Sequence, residues 1–211
     1  MNAGRRPWFE APRFAPLCGA AIGAVGGAIY WAAALLWPAS VAVMLAMIAT
    51  ALLDARMGCT SKPGRGAPAT FVFAVLIKYN ALMALSAANL PFALPPNLAL
   101  GFIMMAGHAA SRAIAVIPPP LSHAGPSPAQ LAPAHLAHAD VVIALLLGFA
   151  PAALIGIPGL AGVAAAILAR IALVSWVMRR GRPMPPAKLG IAQHLTEVCF
   201  YLGALATWTF V

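Results

Sequence analysis

The sequence predicts an all-α, polytopic integral membrane protein with about seven transmembrane helices, and two observations carry that expectation. Charged residues make up 8% of the 211 residues and hydrophobic ones 63%, with a mean hydropathy of +0.90; a soluble domain would be about a quarter charged. The few charges are also bunched, leaving residues 14–53, 79–111 and 141–169 without any Asp, Glu, Lys or Arg. At a helical rise of about 1.5 Å per residue, the first run is about 60 Å long, or two crossings of a ~30 Å hydrocarbon core.

Each element follows from where Pro, Gly or charge interrupts apolar sequence. The first span is expected over residues 14–36. The start MNAGRRPWFEAPRF looks like the head of a signal peptide, but the apolar run after it is too long and more spans follow, so it is read as a helix that stays. Gly19, Gly23 and Gly27, four apart, give this span a small-residue face for close helix packing. Trp37-Pro38 turns the chain into a second span, 39–53, and DARMGCTSKPGRG is a polar loop. The third span is expected over 67–88, NLPFALPPN turns into a fourth at 98–117, and residues 118–139 form a Pro-, Ala- and His-rich loop. A fifth span, 140–157, meets a sixth, 160–178, across a Pro158-Gly159 turn; RRGRPMPPAK is a basic loop, and a seventh span occupies 189–211. The whole chain, 1–211, reads as one transmembrane domain.

Thirteen Lys and Arg against four acids give +9. In a soluble protein that balance would suggest nucleic acid; here location decides, and no nucleic-acid partner is expected. With seven spans, Arg5, Arg6, Arg13, Arg56, Lys62, Arg65, Arg179, Arg180, Arg182 and Lys188 all fall on one side, and the opposite loops carry no cation. The positive-inside rule then places the N-terminus in the cytoplasm and the C-terminus outside, as in a multi-pass protein of a bacterial inner membrane. Trp31, Trp37, Trp176 and Trp208 fall near span ends and read as interfacial anchors, the Met residues as packing filler. Cys18, Cys59 and Cys199 stand singly, suggesting neither a disulfide framework nor a zinc site, and His135, His138 and Asp140 in HLAHAD read as solvated loop residues.

The remaining charges lie inside spans. Lys78, Arg112, Arg170 and Glu197, with His108 and His194, fall at similar depth in the cytoplasmic half, and a lone charge there costs about 2.5–3.5 kcal/mol. Two readings stay open. In one, Arg112 and Lys78 snorkel to the interface and Glu197 pairs with Arg170 to hold the sixth and seventh helices together. In the other, His108 with Arg112 and Ser111, and His194 with Glu197, share helix faces and floor a polar pocket between the fourth and seventh helices, open to the cytoplasm. The fork of an Arg suits phosphate or pyrophosphate.

The segment GHAASRA, from Gly107 to Ala113, resembles the span motif of the cobalamin synthase family, adenosylcobinamide-GDP ribazoletransferase. RFAPLCGAAIGAVGGAIY is similar to that family's first span, AVLIKYNAL to its third, with Lys78 as the Lys, and LGIAQHLTEVCFYLGAL to its last, with Glu197 in place. The family's Asp-rich element after the second span, and the Asp-Ser-Arg-x-Gly segment beyond it, have here only LLDARMGC. Asp54 matches the first Asp of the former, or Asp54, Arg56 and Gly58 match the latter. The Gly-Gly-x-Thr-Gly-Asp loop before the last helix reads GRPMPPAK.

The resemblance implies joining of α-ribazole or its phosphate to adenosylcobinamide-GDP, with release of GMP, at the cytoplasmic face with magnesium. Asp54, Arg56, Arg112 and Glu197 would be catalytic, Asp54 the metal ligand, and Lys78, His108, Ser111, Arg170 and His194 the groups that bind phosphate-bearing corrinoid and nucleoside substrates. Two other classes of function are carried beside it. One is a non-catalytic relative that serves as a binding or assembly partner for corrinoid-pathway membrane proteins; the other is a small transporter using Lys78, Arg112, Arg170 and Glu197 as a charge relay.

Overall fold

The structure, a computed structural model, describes residues 12–56, 68–88, 95–117, 138–179 and 186–208. Seven α-helices lie among them: α1 (Ala15–Ala34), α2 (Ala39–Arg56), α3 (Pro68–Ala87), α4 (Pro96–Val116), α5 (His138–Leu154), α6 (Ile157–Arg179) and α7 (Pro186–Trp208), with a 3-10 turn, Pro12–Phe14, ahead of α1. The protein is a polytopic membrane protein. α1, α2, α4 and α6 are long and apolar enough to cross a bilayer, and α3 and α5 contain shorter apolar helices, Phe71–Ala87 and His138–Leu154. α7 is as long as α6, but its polar groups Gln193, Thr196 and Glu197 are turned inward.

The predicted breaks fall close to the observed ones, with one correction. The α5–α6 turn lies not at Pro158-Gly159 but just before it, at Ile155 and Gly156. Gly156 has φ 79°, a left-handed conformation that stops α5 and that only glycine adopts cheaply. Pro158 then falls in the first turn of α6, where its missing N–H costs nothing. The Trp37-Pro38 turn is as expected: the amides of Leu36 and Trp37 close back on the Ala33 carbonyl, and the Pro38 carbonyl accepts from Val41 and Ala42.

Successive helices run antiparallel. Near its start α1 meets the far end of α4: a Cβ on Gly19 would lie 2.8 Å from Arg112 Cδ, and further along one on Gly27 would lie 2.5 Å from Gly101 Cα. The small-residue face predicted on α1 is therefore spent inside the molecule, against α4. α6 and α7 pair likewise, with Gly162 against Phe200 and Gly203 against Ala165. Arg13 Nη1 lies 3.3 Å from Asp140 Oδ1, placing the starts of α1 and α5 at one end of the bundle. With the ends of α2 and α6, that end carries Arg13, Arg56 and Arg179, and we call it the basic end. Asp140 of HLAHAD is thus an ion-pair partner, and His138 is exposed.

α4 is the central helix. Of its residues from Ala99 to Ile114 only Phe102 is exposed, and Leu100, Ile103, Met104, Ala106, Ala110 and Ile114 join Tyr30, Leu82, Phe200 and Tyr201 in one core. Trp31, Trp37 and Trp176 are exposed, as interfacial anchors would be, whereas Trp208 packs against that core. Cys18 and Cys199 are free thiols; Cys59 lies outside the described residues, as do Arg5, Arg6, Lys62, Arg65, Arg180 and Arg182.

Candidate functional site

Asp54, Lys78, His108, Ser111, Arg112 and Glu197 come from four helices and are all buried. Counted from the basic end at about 1.5 Å per residue, Asp54 and Arg112 lie about 3 and 6 Å deep, His108 about 12 Å, and Lys78 and Glu197 about 15 Å. The sequence therefore gathers nearly all its intramembrane polarity into one half of the bundle.

Two ion pairs organise it. Arg112 Nη2 donates to Asp54 Oδ1, tying α4 to the end of α2. Deeper in, Glu197 Oε1 receives Lys78 Nζ at 2.6 Å and the Tyr201 hydroxyl at 2.9 Å, and His108 Nε2 stands 3.2 Å away. The other carboxylate oxygen, Oε2, faces His194 Nδ1 at 4.0 Å, and the His194 ring meets Phe71 edge-on. Glu197 thus binds α3, α4 and α7 together. An unpaired charge here would be costly, and the pairing removes that cost.

These contacts correct the first of the two readings left open by the sequence. Lys78 and Arg112 do not snorkel; each is buried on an acid. Glu197 pairs with Lys78, not with Arg170: the three lie at similar depth, and it is α3 that brings its cation to the Glu197 carboxylate. Arg170 is buried on α6, and among the described residues it has no ion pair or hydrogen bond. Arg56 is exposed at the end of α2, two residues and about 200° of helix turn from Asp54, so it stays out of the cluster. The Ser111 hydroxyl donates to the His108 carbonyl of its own helix.

The fourth and seventh helices do meet, as expected, and the described polar groups pair with one another there. A groove of about 270 Å³ at the other end of the α1–α4 seam is apolar, lined by Ala24, Gly27, Ala28, Trp31, Leu98, Gly101, Phe102 and Met105. Tyr201 is the residue that sequence reasoning missed. Its spacing of four from Glu197 was the available signal, and Gly107 leaves its ring room, since a Cβ there would lie 2.7 Å from Tyr201 Cε1.

Four buried nitrogens of the layer lack a hydrogen-bond partner: Arg112 Nε and Nη1, which can only donate, and the two ring nitrogens of His108. Each unpaired guanidinium N–H costs about 1–3 kcal/mol, so a group that accepts from Arg112 is favoured there. The same donors do not favour a cation. Magnesium takes oxygen ligands, commonly carboxylates. Yet among the described residues no three His, Cys, Asp or Glu are arranged to hold a metal ion, and the two carboxylates of the layer are already engaged by Arg112 and Lys78. To take magnesium, Asp54 would have to release a buried guanidinium beside a dication. The described residues do not fit a protein-held magnesium ion.

A helical bundle with an intramembrane layer of paired charges and spare Arg donors defines a polytopic membrane protein with a polar, anion-favouring interior. The cobalamin-5-phosphate synthase family model matches residues 60–205, and the chain belongs to that family. Its role is accordingly in cobalamin synthesis, with corrinoid substrates. The match includes Lys78, His108, Ser111, Arg112, Arg170, His194 and Glu197, and begins after Asp54. No curated protein and no solved structure matches the chain.

Proposed function

We propose that this protein is a transferase joining α-ribazole, or its phosphate, to adenosylcobinamide-GDP with release of GMP, at the cytoplasmic face of a bacterial inner membrane. The observation that carries the reading is the buried Arg112, whose Nε and Nη1 lack acceptors within the segment matched to the family. A substrate phosphate entering from the basic end meets Asp54 and Arg112 first, displaces the carboxylate and fills the guanidinium fork. A hydroxyl of the ribazole attacks the corrinoid-side phosphorus. The new P–O bond forms as the bridging P–O bond to GMP breaks, and the hydroxyl proton leaves to a base.

His108 is suited to that base. Its Nδ1 is unpartnered, and Glu197, 3.2 Å from Nε2, stabilises the imidazolium that forms. Lys78 and Tyr201 hold Glu197 in place for it. Positive charge from Arg112 and Lys78 balances what develops on the phosphoryl oxygens.

Complementation of a strain lacking cobalamin synthase tests the reading. Growth is expected from the parent and not from Arg112→Ala or His108→Ala, with all three inserted at equal levels. No growth from the inserted parent would instead favour the non-catalytic binding partner.

A further inference from the structure

His194 is not used in the mechanism above, yet it differs from its neighbours in one respect. It shares a face of α7 with Glu197, Val198 and Tyr201, which follow it at helical spacing. Those three are at most 2% exposed, whereas the His194 side chain is 27% exposed. Because that face points into the bundle and the ring meets Phe71 of α3 edge-on, the exposure opens on the interior, about 12 Å from the basic end. Behind His194 the groups are sealed: the side chains of His108 and Glu197 are 1% and 2% exposed. His108 Nε2 stands 3.2 Å from Glu197 Oε1, and Oε2 of the same carboxylate faces His194 Nδ1 at 4.0 Å. Three titratable groups thus follow one another from a closed imidazole to an accessible one.

A sealed base must lose its proton before it can act again. We infer that His194 is a proton-relay residue, carrying the proton from the buried His108–Glu197 pair to water at the basic end. As the substrate hydroxyl gives its proton to His108 Nδ1, Nε2 gives one to Glu197 Oε1. The carboxyl turns and hands it to His194 Nδ1 once that ring moves to close the 4.0 Å gap, and His194 Nε2 loses a proton to water. Both rings then return to their starting tautomers. Only protons move, so no oxidant or co-reactant is needed. An imidazole suits the task because it accepts at one nitrogen while donating from the other. The other charges acting on His194 are Lys78 of α3, Asp54 of α2 and Arg112 of α4. Lys78 and Arg112 oppose a lasting positive charge on the ring, which favours passing the proton on over keeping it. Use of the path in the transfer reaction rests on the proposed function; the path itself does not.

The test uses the full chain in nanodiscs with isotope-labelled histidine nitrogens, and follows exchange of the ring protons with water by nuclear magnetic resonance. In the parent, His108 is expected to exchange nearly as fast as His194 despite its burial. His194→Gln keeps a polar side chain that cannot carry a proton, and His194→Ala leaves a space. In both, exchange at His108 should slow at least about tenfold, and millimolar imidazole should restore it in His194→Ala. Turnover of adenosylcobinamide-GDP and α-ribazole in dilute buffer should follow the same pattern, with kcat lowered, KM unchanged and imidazole rescuing His194→Ala. Parental exchange at His108 in the folded variants, or no response to imidazole, would overturn the inference. So would a parent in which His108 exchanges far more slowly than His194, a result that needs no variant. A parent without turnover whose His108 exchange still depends on His194 would sink the transferase reading and leave the relay standing.

Discussion

The seam between α1 and α4 is built twice over, and its two ends do different things. At the basic end Gly19 lies under the His108 carbonyl and Arg112 Cδ, so the missing side chain makes room for a charged one. At the far end Gly27 lies on the Gly101 backbone, the surroundings are apolar, and an open groove flanked by Trp31 and Phe102 runs alongside. The same residue type thus serves helix contact at one end and placement of Arg112 at the other. Small residues in membrane helices are usually read only as contact points; the first end shows that they also set where a buried cation can lie.

The largest effect is expected where polarity, not closeness, holds the helices. Glu197→Leu strands Lys78 in the bundle and should cost about 3–5 kcal/mol, read by denaturant or thermal unfolding in detergent. The double variant Lys78→Met/Glu197→Leu should recover most of it, and a double variant as unstable as the single would show that the pair is not the cause. Tyr201→Phe removes one donor to that carboxylate and should cost about 1.5–3 kcal/mol. No loss there would mean the hydroxyl adds nothing to Glu197.

Gly19→Ala and Gly27→Ala sharpen the comparison itself. Each forces the helices apart and should lose about 1–3 kcal/mol, but only Gly19→Ala should also impair growth in the complementation assay, because only there does the added methyl meet Arg112. Equal growth by both variants would erase the distinction between the two ends. The smallest effect belongs to the surface pair: Arg13→Ala should change stability by less than about 1 kcal/mol, since its side chain is 46% exposed.

Much of this was legible in the sequence. The seven helices follow from charge-free runs and Pro or Gly breaks, because in a bilayer the backbone has no other way to satisfy itself. The polar layer follows from depth arithmetic alone. Partner choice did not. Glu197 has Lys78 and Arg170 at comparable depth, and which one it meets depends on α3 lying beside α7, a neighbour relation with no local signal. Asp54 meeting Arg112 is a second contact of that kind, joining residues 58 apart in the chain. The turn at Ile155 and Gly156 was misplaced by three residues because a Pro reads equally well as the end of one helix or the first turn of the next.

The central claim is that Arg112, seated by Gly19, receives the phosphate of a corrinoid substrate. Equilibrium binding of adenosylcobinamide-GDP to the purified protein in nanodiscs tests it most directly. The account predicts measurable binding by the parent, at least about tenfold weaker binding by Arg112→Lys and Gly19→Ala, a loss of roughly 1.4 kcal/mol or more, and parental affinity for Gly27→Ala. Parental affinity in Arg112→Lys, or equal losses at Gly19 and Gly27, would contradict it.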